Sequence, residues 1–138
     1  KEIPNVLGIK EASQDIKHII EVSLLCDEKF YLYGGNDELS YLFLSLNAKG
    51  LINVLGNFDP NILFTLIKTY EENSFLSYKY FKSIYPLLKA LSIDINPIPI
   101  KELMNYYGYY VGNYRVPLCS MSEQNKKILL DEFNKISV

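Results

Sequence analysis

Three times in its first 72 residues the chain runs from a short apolar stretch into a helical pattern, and after that no strand pattern returns. Asn5 to Ile9 is apolar and stops at Lys10-Glu11, which predicts a buried parallel strand with a polar carboxyl end. Asp15 to Leu25 follows, with Ile16, Ile19, Ile20 and Leu24 at helical spacing. Phe30 to Tyr33 predicts a second strand, ended by Gly34-Gly35-Asn36-Asp37. Asn36 or Asp37 can cap a helix that runs to about Asn47, with Gly50 as its left-handed stop. Leu51 to Val54 predicts the third strand. Asp59-Pro60 starts a helix with Ile62, Leu63, Leu66, Ile67 and Tyr70 on one face.

From Ser74 the pattern is helical. Tyr80, Phe81, Ile84, Leu87, Leu88 and Leu91 form one stripe, interrupted by Pro86, which predicts a kink. A helix starting at Pro99 or Ile100 and a last one capped by Ser122, with Leu129, Phe133 and Ile136 inward, complete the chain. Alternating strands and helices argue for a parallel sheet covered by helices. Three such strands leave two open edges, and a complete (β/α)8 barrel needs about 250 residues. The expected architecture is therefore α/β: the last three strand–helix units of a TIM barrel over residues 1–73, then a helical C-terminal extension over 74–138. The opening Lys1-Glu2-Ile3-Pro4, with no initiator Met and no signal pattern, fits the expectation of a C-terminal portion whose N-terminal half is missing.

Composition narrows the function classes. Hydrophobic residues make up 49% and charged residues 22%, too apolar for a disordered chain. No apolar window approaches the roughly 18 residues of a membrane span. Net charge is −2, and Arg115 is the sole arginine, so the clustered basic residues of a nucleic-acid surface are missing. One His and two Cys argue against a Cys/His zinc centre. Cys26 and Cys119 lie far apart and outside any CxxC motif. They read as buried or semi-buried free thiols in a reducing compartment, with a disulfide as the other reading. The expected location is the cytoplasm.

Lys10 is the residue most suggestive of chemistry. It ends an apolar strand, where barrel enzymes place catalytic groups, and Leu7, Gly8 and Ile9 precede it. In a dry site the ammonium is disfavoured, and the neutral amine can attack a ketone to form an imine that serves as an electron sink. The plain alternative is a strand-end lysine reaching solvent beside Glu11.

The residues Gly8-Ile9-Lys10-Glu11-Ala12-Ser13 resemble the Schiff-base motif of the dihydrodipicolinate synthase family of class I aldolases. The resemblance continues in order through Tyr33-Gly34-Gly35-Asn36-Asp37 and Ala48-Lys49-Gly50-Leu51-Ile52-Asn53-Val54, with Asn57 at the family's usual Asn. It extends through Pro86-Leu87 and Asn96-Pro97-Ile98-Pro99-Ile100-Lys101 to Tyr114-Arg115-Val116-Pro117-Leu118. The Asn-Pro-Ile-Pro segment favours the synthases over the related sialic acid lyases. The resemblance implies a lyase of lysine and diaminopimelate biosynthesis that condenses pyruvate with aspartate 4-semialdehyde through a covalent imine on Lys10. No metal or other cofactor is implied. Ile52 would contact pyruvate through its backbone, and Gly35 would keep the pocket rim open. Otherwise Ile52 is a core strand residue and Gly35 a plain turn. The resemblance also implies a homo-oligomer, a tetramer in the family.

Leu55-Gly56-Asn57 departs from the family's Thr-Ala-Asn. The family's paired threonines, catalytic tyrosine and substrate-binding arginine have no counterpart here, and the segment alone is expected to be inactive. Two other readings stand beside this one: a related pyruvate aldolase acting on a sugar-like aldehyde, or an inert half-barrel serving interaction or structure. Tyr106, Tyr107, Tyr109 and Tyr110 read as packing or interface residues. His18 reads as a surface residue able to pair with Asp15 or Glu21. Asp15, Asp27-Glu28, Asp37-Glu38 and Glu71-Glu72 read as solvated charges at helix ends, and Arg115 as a structural loop residue.

Overall fold

The computed structural model describes residues 3–136. Three strands, β1 (Gly8–Glu11), β2 (Tyr31–Gly34) and β3 (Gly50–Leu51), form one parallel sheet in the order β1-β2-β3. Lys10 is registered with Tyr33, and Tyr33 with Gly50. Among the described residues six α-helices accompany them: α1 (Ile16–Leu25), α2 (Ser40–Ser45), α3 (Pro60–Glu72), α4 (Ser74–Ala90), α5 (Ile98–Tyr106) and α6 (Glu123–Asn134).

Side-chain caps set the helix starts. Asp15 accepts from the backbone N–H of Lys17 and His18, and Asp59 from that of Asn61, with Pro60 in the first turn. Asn73 closes α3 and opens α4, where its side chain accepts from Phe75 and Leu76. Ser122 accepts from the Asn125 N–H at the start of α6. Pro86 sits inside α4.

The strands differ from their expected bounds. β1 begins at Gly8, because Val6 and Leu7 are exposed and pairing starts where the Tyr31 N–H meets the Leu7 carbonyl. At Gly8 the two strands approach so closely that a Cβ would collide with the Tyr31 carbonyl oxygen. β3 is shorter than Leu51 to Val54. Its ladder ends with the Ile52 N–H on Gly34 O (2.7 Å), after which the N–H groups of Val54 and Leu55 turn to the Asp37 carboxylate. Asn36 makes no side-chain cap. A 3-10 turn over Asp37–Leu39 leads into α2, and the positive φ after α2 falls on Asn47, not Gly50.

Two clusters of apolar side chains hold these elements. The smaller one, Ile19, Leu32 and Phe43, packs α1 and α2 against one face of the sheet. The larger one draws on Leu55, Leu66, Ile84, Leu87, Leu88, Leu103, Leu129 and Phe133, joining residues on both sides of Asn73. The buried Ser77 hydroxyl donates to Leu66 O across the α3–α4 contact (3.0 Å). Phe58, Tyr107 and Phe133 stack with ring centres 5.1–5.4 Å apart, with Tyr109 against Phe58, whereas Tyr110 is exposed. On α1 the expected apolar stripe is covered only at Ile19, and Ile16, Ile20 and Leu24 face solvent.

Candidate active site

Side chains alternate across a strand, so neighbours in register share a face. Ile9, Leu32 and Leu51 pack toward the helices. Lys10, Tyr33 and Ile52 therefore occupy the opposite face, and the ring of Tyr33 lies over Gly50. Lys10 and Ile52 line one open cavity of about 550 Å³ beyond the carboxyl ends of the strands. Asn53, Val54 and Asn57 continue that wall, and the segment from Asn96 through α5 supplies another, including Ile100, Lys101 and Met104.

Gly35 is not part of this lining, but it touches the site through Lys10. A Cβ at residue 35 would stand 2.5 Å from Lys10 Cε. Its N–H donates to Glu11 O (2.8 Å), which carries the β1–β2 ladder one step past β2. Ile52 is 48% exposed, so it is not a core residue in this chain, and it lines the cavity. Lys10 is also exposed, and so is Leu7, so the run before the lysine does not enclose its amine in apolar side chains.

Asp37, expected to be a solvated cap, is instead buried. Its two carboxylate oxygens accept from Val54 N (2.9 Å) and Leu55 N (3.0 Å). Burial pushes its pKa above the usual 3.8, against the pull of those N–H groups and of the Lys10 charge. The Ser40 hydroxyl donates to Asp37 O (2.6 Å) and accepts from Asn53 Nδ2 (2.6 Å). This buried network ties the turn after β2 to the exit of β3, and so fixes the backbone that carries Ile52.

Glu11 is the second buried carboxylate. It accepts from Ser13 N (2.6 Å) and stands 3.2 Å from His18 Nε2. The Ser13 N–H, then the His18 side, hold its pKa below 4.5 against desolvation. The His18 ring thus pairs with Glu11, while the Asp15 side chain meets only the His18 backbone N–H. Neither carboxylate was legible as a buried group in the sequence. The Asp37 partners lie 17 and 18 residues away, and burial of Glu11 depends on how α1 packs. Cys26 and Cys119 are both free thiols, and Cys119 is exposed, contrary to the expected burial. Arg115 is exposed and contributes its carbonyl to a turn closed by the Leu118 N–H. Among the described residues no helix is long and apolar enough to cross a membrane.

Comparison with known proteins bears on this arrangement. The profile of the Dihydrodipicolinate synthetase family matches residues 1–135. The chain is 38% identical over 136 residues to the 4-hydroxy-tetrahydrodipicolinate synthase of Macrococcus caseolyticus, covering 99% of this chain and 46% of that protein. It is 37% identical to the synthase of Methanocaldococcus jannaschii, covering 94% and 44%. A crystal structure of dihydrodipicolinate synthase from Aquifex aeolicus superposes with a TM-score of 0.89 at 30% identity, covering 99% of this chain and 47% of that one. The enzyme of Cyanidioschyzon merolae, solved with lysine bound, superposes with a TM-score of 0.90 at 26% identity, covering 97% and 46%. The chain thus spans about half the length of the curated relatives it matches.

Proposed function

The chain belongs to the Dihydrodipicolinate synthetase family, and on that premise we propose that it is the C-terminal half of a Schiff-base-forming lyase that condenses pyruvate with aspartate 4-semialdehyde. The observation that carries this reading is that Lys10 and Ile52 line one cavity, with the Lys10 side chain laid across Gly35. In this reading the Lys10 amine adds to the keto carbon of pyruvate and water leaves, giving an iminium. The iminium accepts the electron pair released when the methyl group loses a proton, and the resulting enamine attacks the aldehyde carbon. Ile52 meets the bound pyruvate through its backbone. The Asp37–Ser40–Asn53 network holds that backbone in place.

A neutral amine requires exclusion of water, and Lys10 is exposed along the open side of the sheet. The N-terminal half of the barrel covers it in this proposal and brings the groups that move protons, help worth about 10²–10⁴-fold. The 138-residue chain alone is then expected to trap pyruvate slowly at best and not to turn over. The same reading makes the intact protein a cytoplasmic homo-oligomer whose substrates are pyruvate and an aldehyde.

Borohydride reduction in the presence of pyruvate, followed by mass spectrometry, tests the proposal. The full-length protein should carry a reduced pyruvate adduct on the peptide containing Lys10. A stable adduct on any other lysine, or none, would overturn the assignment.

A further inference from the structure

We propose that Tyr109, Tyr110 and Val111 form a strap, hinged at Gly108 and Gly112, that closes over the cavity lined by Lys10 once pyruvate is bound to the lysine. This rests on the lyase reading above and adds a moving part to it. Val111 lines that cavity beside Met104 of α5, while its neighbour Tyr110 is 86% exposed. Both hinges are glycines in the left-handed region, with φ of 83° at Gly108 and 78° at Gly112. No atom lies within 4 Å of where a Cβ would stand on either, so the backbone has open space at both ends of the strap. Tyr110, between them, also has a positive φ of 48°, which residues other than glycine seldom adopt.

The strap is fastened near its two ends and free in the middle. The Tyr109 N–H donates to Met104 O (3.0 Å), and the Tyr109 ring rests edge-on against Phe58 (5.6 Å between centres). Asn105 on α5 accepts from the Val111 N–H (2.9 Å) and donates to Gly112 O (3.3 Å). Beyond the second hinge, Lys101 Nζ donates to Asn113 O (2.6 Å). Among the described residues no hydrogen bond holds Tyr110. Exposed segments with few bonds open and close at small cost in free energy. The Lys10 amine needs water excluded from it, and the bound keto acid gives the Tyr110 ring a methyl group to cover that the empty cavity does not. That difference between the two states drives closure.

Hydrogen–deuterium exchange of the full-length protein tests this, read by mass spectrometry on peptides spanning residues 107–113. It is run with and without pyruvate locked onto Lys10 by borohydride. The amides of the strap should exchange about tenfold more slowly or less in the locked adduct, while peptides from α6 stay unchanged. Tyr110→Ala should still trap pyruvate and lose that protection. Equal exchange in the two states, or a slowing shared by α6, would overturn the strap while trapping still upheld the lyase. A Tyr110→Ala protein that keeps the wild-type protection, or that no longer traps pyruvate, would overturn it too. Failure of the wild-type protein to trap pyruvate would overturn both readings.

Discussion

The Lys10 side chain runs across Gly35 so closely that a methyl group there would stand 2.5 Å from Lys10 Cε and 2.9 Å from both Lys10 Cγ and Ala12 Cβ. The lysine chain can swing away, but the Ala12 contact involves a Cβ fixed to the backbone. Gly35→Ala should therefore displace the amine and also destabilise the fold, by about 1–3 kcal/mol. Misplacement of a reacting group by about an ångström can cost about 10²-fold, so borohydride trapping on Lys10 should fall on that scale. Trapping at the wild-type rate would show that the amine does not depend on this gap.

Asp37 gives a pH signature. Its folded pKa lies above 3.8, with desolvation as the main cause. Between 3.8 and that raised value the folded chain holds more protons than the unfolded one, so this residue's contribution to stability falls as pH rises through the window. Asp37→Asn removes the titration. Urea midpoints of wild type relative to Asp37→Asn should drift downward as pH is raised from 3.8. Lys10→Met, which deletes the charge that favours the carboxylate, should enlarge the drift. Parallel curves for wild type and Asp37→Asn would refute the buried, titrating carboxylate.

Glu11 works in the opposite sense. Its folded pKa lies below 4.5, chiefly through the Ser13 N–H. The stability it confers is present above pH 4.5 and is lost as pH falls through the lowered folded value. Glu11→Gln should cost about 1–3 kcal/mol at neutral pH, and the difference from wild type should shrink in acid. A difference that stayed constant as the solution was acidified well below pH 4.5 would count against the contact.

Association follows from the uncovered faces. Ile16, Ile20 and Leu24 form an exposed stripe on α1, and Leu24 is 79% exposed. β1 and β3 each end the sheet with an open edge. Burial of apolar surface stabilises by about 25 cal/mol per Å², so the isolated chain is expected to bind the N-terminal half of the barrel, self-associate or aggregate. Light scattering at micromolar concentration checks this. A monodisperse 16.0 kDa species with cooperative unfolding would contradict it.

The sequence by itself determined the order of elements, the parallel sheet, most helix starts and the cavity lysine. Each of these is written locally. Asp59-Pro60 and Ser122 cap the helix that immediately follows them, apolar periodicity marks the inward face of α3, and the run ending at Lys10 places that residue at a strand's carboxyl end. Only the tertiary structure decided that β3 stops at Leu51, that Asp37 is buried, that His18 meets Glu11 and that Lys101 shares a cavity with Lys10. Those outcomes depend on groups far apart in the chain. A carboxylate at position 37 reads the same whether water or the N–H groups of Val54 and Leu55 solvate it, and packing alone chooses between them.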